Sequence, residues 1–240
     1  MKLFTHYNIG DHLICYGFVK EFSKQYDTII LTTKDDPRQL PNAQRLFSSI
    51  KNVFLTTEHF PNNEYDKIIS SNWWFQQVSQ WYQYPTPKVP FYLGEEMIFD
   101  RFWYKLADVP FKLKWDNFYL ERNLQKEKEI YYDIIGLKNN EEYTFLHEDP
   151  FNTDEDRSVK RKYINPDIRL INMTDWPDIS ILDTAYLIEN AKEIHVINSS
   201  FRTFIDLMNI KNNNVYYHMY TRSNPAEQVA VRLKWNTLIE

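Results

Sequence analysis

Cysteine occurs once in this 240-residue chain, at Cys15, so no internal disulfide can form, and a reducing compartment is expected. Cys15 sits among apolar residues of a helical pattern, which reads as a buried thiol rather than a nucleophile. Glycine is scarce at 4 residues, and none of the glycine-rich phosphate motifs is present. Gly10 is followed only by Gly17, so the dinucleotide fingerprint is missing, as is any Walker A sequence. A Gly-x-Ser-x-Gly elbow is also absent, which argues against a Ser-His-Asp hydrolase. These absences count against nicotinamide oxidoreductases and nucleoside triphosphatases. Basic charge is thin: the formal net charge is −5, and Lys160-Arg161-Lys162 is the one short cationic run, so nucleic acid is not an expected partner. No apolar run approaches the ~18 residues of a membrane span. The first residues enter a strand pattern without the look of a signal peptide, so a cytoplasmic protein is expected, in the host cytoplasm if the source is viral.

Aromatic residues make up 17% of the chain, enough for a dense core or for sugar-binding surfaces. The length allows one large domain or two small ones, burying roughly 70–75% of the unfolded surface. A β-branched run marks a strand at residues 28–33, and shorter strand patterns stand at 2–6, 53–57 and 67–70 in the first half. Helical spacing separates them after residue 9, over 40–50, over 73–82 and over 95–106. The pattern repeats in the second half, with strands at 143–147, 168–172, 193–197 and 215–220 and helices over 179–190 and from Ser199-Ser200-Phe201 through Met208. Trp235 to Leu238 reads as a terminal segment that packs back. The fold class is therefore α/β, in two parallel-sheet halves.

Two strand-to-helix junctions carry the chemistry. The first is Asn8-Ile9-Gly10-Asp11-His12, at the carboxyl end of the first strand, where open α/β sheets bind ligands. Gly10 is free to take a backbone angle other residues resist and lets a ligand approach, and Asp11 stands where it either caps the helix or faces a substrate. The second junction is Asn198-Ser199-Ser200-Phe201, whose hydroxyls and N–H groups suit a helix cap or a phosphate. His147-Glu148-Asp149 ends a neighbouring strand, and Arg157 follows in a loop from which it can pair bidentately with a diphosphate. No second His or Cys cluster accompanies His147, so no metal is expected.

The segment from Asn8 to Cys15 resembles the N-terminal Gly-Asp turn of ADP-heptose-type heptosyltransferases, which have the two-Rossmann-domain GT-B fold. Gly10-Asp11-His12 paired with Ser199-Ser200-Phe201 is more similar still to small glycosyltransferases of bacteria, phages and large algal viruses. Val109-Pro110-Phe111, Trp115 and Glu121-Arg122 resemble the middle of that group, and the His147 strand end resembles, more faintly, GDP-fucosyltransferases. The resemblance implies two small Rossmann-like halves facing each other, an acceptor half at 1–115 and a nucleotide-sugar half at 116–240. It implies transfer of a sugar to a glycan or glycoconjugate hydroxyl, inverting and without a metal or other cofactor. Asp11 would be the general base, with His12 as the alternative. Gly10, His147, Asp149, Arg157, Ser199, Ser200 and Phe201 would line the donor, and Asn8, Trp73 and Trp74 the acceptor. Phe201 and the tryptophans equally suit core packing. Rival readings on the same scaffold are a non-catalytic glycan-binding module, a pyruvyl transferase, and a glycosyltransferase acting on a modified DNA base.

Overall fold

The computed structural model describes residues 1–5, 8–58, 60, 64–69, 99–151, 157–221 and 229–239. Trp73, Trp74 and Trp81, the helix expected over 73–82 and the first residues of the one expected over 95–106 lie outside the described residues. The chain divides into two compact units, Met1–Glu121 and Arg122–Asn224. Near the C-terminus Val229 and Ala230 belong to the first unit, and Val231–Glu240 belongs to the second. The division thus falls a few residues beyond the 115/116 boundary read from sequence.

In the first unit, strands β1 (Lys2–Phe4), β2 (Ile29–Thr32), β3 (Val53–Thr56) and β4 (Lys67–Ile68) form a sheet of order β3-β2-β1-β4. All of its pairings are parallel, as the apolar β-branched runs require of strands covered on both faces. Helix α1 (Ile9–Phe22) follows β1, and α2 (Gln39–Phe47) follows β2. Asp36 starts α2, its Oδ1 accepting from Arg38 N and Gln39 N at 2.9 and 3.1 Å. Helices α3 (Phe99–Ala107) and α4 (Leu113–Asp116) complete the unit.

The first unit's core uses the aromatic surplus. Tyr16, Phe18, Trp103 and Tyr104 are wholly buried, and Phe18 meets Tyr104 edge-on at 5.2 Å. Gly17 is the glycine this packing needs: a Cβ there would lie 2.3 Å from both Leu113 O and Tyr104 Oη. Asn117 Nδ2 closes the same contact by donating to Gly17 O at 2.9 Å. Beside it, Lys114 is buried with its Nζ donating to Asp100 Oδ2 at 2.7 Å and to Ala230 O at 2.6 Å. Ala230 N returns a bond to the same carboxylate at 3.1 Å, so one buried ion pair fastens the 229–230 segment to α3 and α4.

In the second unit, α5 (Leu124–Glu129) runs into a π-helical turn at Ile130–Ile134, neither of which the sequence pattern announced. Glu127, fully buried, anchors this stretch by accepting from Arg122 and, at 3.1 Å, from Tyr186 N. The strands are β5 (Tyr143–His147), β6 (Arg169–Asn172), β7 (Glu193–Val196), β8 (Val215–His218) and β9 (Asn236–Leu238). They form one parallel sheet of order β6-β5-β7-β8-β9, with the expected terminal segment as its last strand. The helix expected over 179–190 is split. A 3₁₀ turn, Ile181–Asp183, precedes α6 (Ala185–Glu189), because Ser180 Oγ caps Leu182 N at 3.2 Å and Thr184 Oγ1 bonds Ile181 O at 2.6 Å. Helix α7 (Ser200–Met208) follows β7.

Candidate functional site

In the second sheet the chain leaves β5 for β6 on one side and then places β7 on the other. The strand order reverses between β5 and β7, and such a reversal opens a crevice at the carboxyl ends of the two strands. His147 is the last residue of β5, and its carbonyl accepts from Ile197 N at 3.3 Å, so the ends of the two strands are in direct contact. Asn198, Ser199 and Ser200 then turn the chain into α7. The Phe201 ring lies 4.3 Å from the His147 ring and 5.6 Å from Phe145. Four of the side chains expected to line a donor, His147, Ser199, Ser200 and Phe201, therefore meet at one point of the sheet.

Among the described residues, two buried polar atoms at this point, Ser199 Oγ and His147 Nδ1, have no hydrogen-bond partner. Ser199 occupies the cap position of α7 with extended backbone (φ −152°, ψ 177°), yet its side chain makes no cap bond. Its Oγ is buried and unpartnered, and so is His147 Nδ1. Burial pushes His147 down to about 4 against the opposing pull of Asp149 and Glu148, so the imidazole is neutral at neutral pH. A buried polar group without a partner costs free energy, and a ligand that supplies the missing bond recovers it.

Asp149 and Arg157 stand together at the base of the loop leaving β5. They form an antiparallel bridge, with Asp149 N donating to Arg157 O at 3.3 Å and Arg157 Nη1 3.6 Å from Asp149 Oδ2. Arg157 was expected to face an anion; here it lies against a carboxylate. Immediately before Asp149, Glu148 is buried and fully engaged. It accepts from Val159 N at 2.6 Å, from Asn172 Nδ2 at 2.8 Å and from Arg161 Nη1 and Nη2 at 3.0 and 2.5 Å. Glu148 thus holds the 159–161 segment onto the sheet.

The first junction is built differently. Helix α1 begins at Ile9, with Asn8 as its cap and Asp11 at its third position. Gly10 is inside the first helical turn, and among the described glycines only Gly136 has a positive φ, which corrects the turn role expected of Gly10. Asp11 is likewise not the cap itself. Its Oδ2 accepts from Asn8 N at 3.2 Å while the Asn8 side chain accepts from Asp11 N, a reciprocal capping box. Ile9 N is taken by Gln39 Oε1 at 2.9 Å. The first turn of α1 is therefore largely self-satisfied, whereas the Ser199 side chain at the start of α7 makes no cap bond.

His12 is wholly buried, its Nε2 on Thr33 Oγ1 at 2.9 Å and its ring edge-on to Phe47. Burial lowers its pKa to about 4. It has no exposed surface for an acceptor hydroxyl to reach, which leaves the half-buried Asp11 as the candidate base of the two. Asn8 is exposed beside it. Trp73 and Trp74, the other expected acceptor residues, fall outside the described residues.

Sequence reading also passed over a polar chain that runs from the surface into the core. Lys160 N donates to Tyr220 Oη at 2.8 Å, Tyr220 Oη meets His218 Nδ1 at 3.1 Å, and His218 Nε2 meets His195 Nδ1 at 2.9 Å. Two histidines at alternating positions of adjacent strands were the available signal, but using it requires knowing that β7 and β8 are neighbours. Among the described residues no group of three or more His, Cys, Asp or Glu could hold a metal ion, and no helix is long and apolar enough to cross a membrane.

No protein-family model and no curated protein matches the sequence. Solved structures do match the fold. A glycosyl transferase family 9 protein from Veillonella parvula is similar at TM-score 0.54 and 8% identity, over 90% of this chain and 80% of that one. The ADP-heptose lipopolysaccharide heptosyltransferase II of Escherichia coli is similar at TM-score 0.55 and 12% identity, over 94% of this chain and 87% of that one. At such identities the likeness is one of fold. The two parallel-sheet halves are those of the heptosyltransferase-type GT-B architecture that the sequence motifs resemble.

Proposed function

We propose that this chain is a glycosyltransferase that moves a sugar from a nucleotide-sugar donor to a hydroxyl of a glycan or glycoconjugate, with inversion and without a metal. The observation that carries the donor side is the junction of β5, β7 and α7. There an uncapped helix N-terminus, a buried unpartnered serine hydroxyl and a buried unpartnered histidine nitrogen come together at a strand-order reversal.

In this reading the donor diphosphate lies against the first turn of α7. The N–H groups of that turn and the hydroxyls of Ser199 and Ser200 bond its oxygens. Neutral His147 offers Nδ1 as a hydrogen-bonding group without repelling or titrating against the phosphates. Asp11 takes the proton from the acceptor hydroxyl as its oxygen attacks the anomeric carbon. The bond from that carbon to the diphosphate breaks in the same step, and the leaving charge falls where the helix N-terminus stabilises it. The capping box holds the Asp11 carboxylate at the start of α1, where Asn8 N donates to it.

The test is a thermal-shift titration with UDP-, GDP-, ADP- and dTDP-linked sugars at millimolar concentration, followed by assay of Asp11→Ala. At least one donor raises the melting temperature, and Asp11→Ala keeps that shift while losing transfer. If no donor stabilises the protein, the reading fails. If Asp11→Ala transfers sugar as well as the parent, the assignment of the base fails.

A further inference from the structure

Among the described residues Phe151 is the large apolar side chain most open to water, at 82% exposure. It sits in the loop leaving β5, four residues beyond His147, and a stretch of that length spans at most about 14 Å. That is the scale of a nucleoside diphosphate anchored at the end of the same strand. Two residues before it, Asp149 is bridged to Arg157 in backbone and side chain, so the strand end from which the ring departs is held. Charge next to it is compensated on both sides. Asp149 faces Arg157, and Glu148 is saturated by Arg161, Asn172 and Val159 N. An aromatic face beside neutralised carboxylates suits the flat, uncharged part of a nucleotide and not its phosphates.

The other side of the junction is already filled. At the end of β8, Lys160 N is bonded to Tyr220, and the Tyr163 ring packs against His218 and Tyr220 at 5.9 and 6.0 Å. We propose that Phe151 is the stacking face for the donor nucleobase, with the diphosphate on α7 and the base extending past the end of β5. This rests on the donor reading given above and adds to it the position and chemistry of the base contact.

The experiment is calorimetric titration of the parent, Phe151→Ala and Phe151→Trp with ADP, UDP, GDP and dTDP, with inorganic pyrophosphate and a hexose 1-phosphate as controls. Losing one stacked base weakens nucleoside diphosphate binding roughly tenfold in Phe151→Ala. Phe151→Trp restores it, and neither change alters pyrophosphate binding. The exposed ring makes a folding defect easy to detect, since the melting temperature of the free variants should match the parent's. Equal binding of nucleoside diphosphates by parent and Phe151→Ala overturns the stacking role and leaves the donor reading standing. An equal loss for pyrophosphate, or a loss confined to the sugar phosphate, overturns it too. A parent that binds none of the probes overturns the donor reading and the stacking role with it.

Discussion

Replacing Ser199 by alanine separates a structural serine from one kept for a ligand. An N-cap serine that works as a cap stabilises its helix by about 0.5–2 kcal/mol, which its alanine variant loses. In a chain of this size that loss lowers the melting temperature by about 2–4 °C per kcal/mol. Here the Ser199 side chain makes no cap bond, and its Oγ is buried without a partner. An unmet buried hydroxyl costs about 1–3 kcal/mol, so removing it relieves a penalty. Ser199→Ala should therefore melt at the parent's temperature or above it. Binding should move the other way, because a hydrogen bond to a charged phosphate is worth about 1.5–3 kcal/mol, or roughly ten- to a hundredfold in affinity. The assay pairs a thermal melt of the free protein with calorimetric titration of a nucleoside diphosphate. A variant that melts several degrees lower and binds as tightly as the parent would make Ser199 an ordinary cap and refute the reasoning.

Two further outcomes follow from buried charge. Asp100→Asn leaves the Lys114 ammonium buried without its carboxylate and faces it with an amide, at a cost of about 3–5 kcal/mol. A urea melt of this variant should show that loss, and one below about 1 kcal/mol would mean that the segment at Ala230 is not fastened by the pair. Acid should destabilise the fold before carboxylates in general are protonated. Burial lowers His12, His147 and His218 to about 4 and His195, which also feels His218, to about 3. The unfolded chain, titrating near 6.5, then binds more protons than the folded one, so stability falls as pH drops from about 6.5 toward 4 and is regained on raising it. Against the opposing pull of burial, the Arg161 and Val159 bonds hold Glu148 low, which extends the loss further into acid. Urea midpoints measured across that range check this, and a flat profile between pH 6.5 and 4.5 would contradict it.

Local patterning made much of the fold legible. The strand at Tyr143–His147 and the helix to Met208 are where apolar runs and paired serines put them, because one buried strand or one amphipathic turn is written in adjacent residues. The parallel class was legible for the same reason. Strand order was legible only in part: the strand ending at His147 was read as the neighbour of the one before Ser199, as β5 and β7 are, but nothing local says that β6 lies on the far side of β5 or that β8 and β9 follow β7. Contacts that depend on that order were lost with it. Those are the His195–His218 pair across β7 and β8 and the Asn172 bond to Glu148 from the end of β6; the Asp100–Lys114–Ala230 knot was hidden instead by the long sequence separation of its members. At the first junction the residue types were right and the register was off. A reciprocal bond from Asn8 moved the start of α1 ahead of Gly10, so the glycine became helical and Asp11 became the third residue of the helix. At the second junction the serines fell where expected, and what no sequence pattern shows is that Ser199 leaves its cap bond unmade.

The most direct measurement is hydrogen–deuterium exchange of the intact chain with and without a saturating nucleotide-sugar drawn from the donor panel. A donor seated at the reversal of the second sheet slows exchange at the Ser199–Arg202 amides and around His147, and leaves the self-capped first turn of α1 unchanged by donor alone. Protection confined to residues of the first unit, or none anywhere at saturation, would contradict a nucleotide-sugar site at that place.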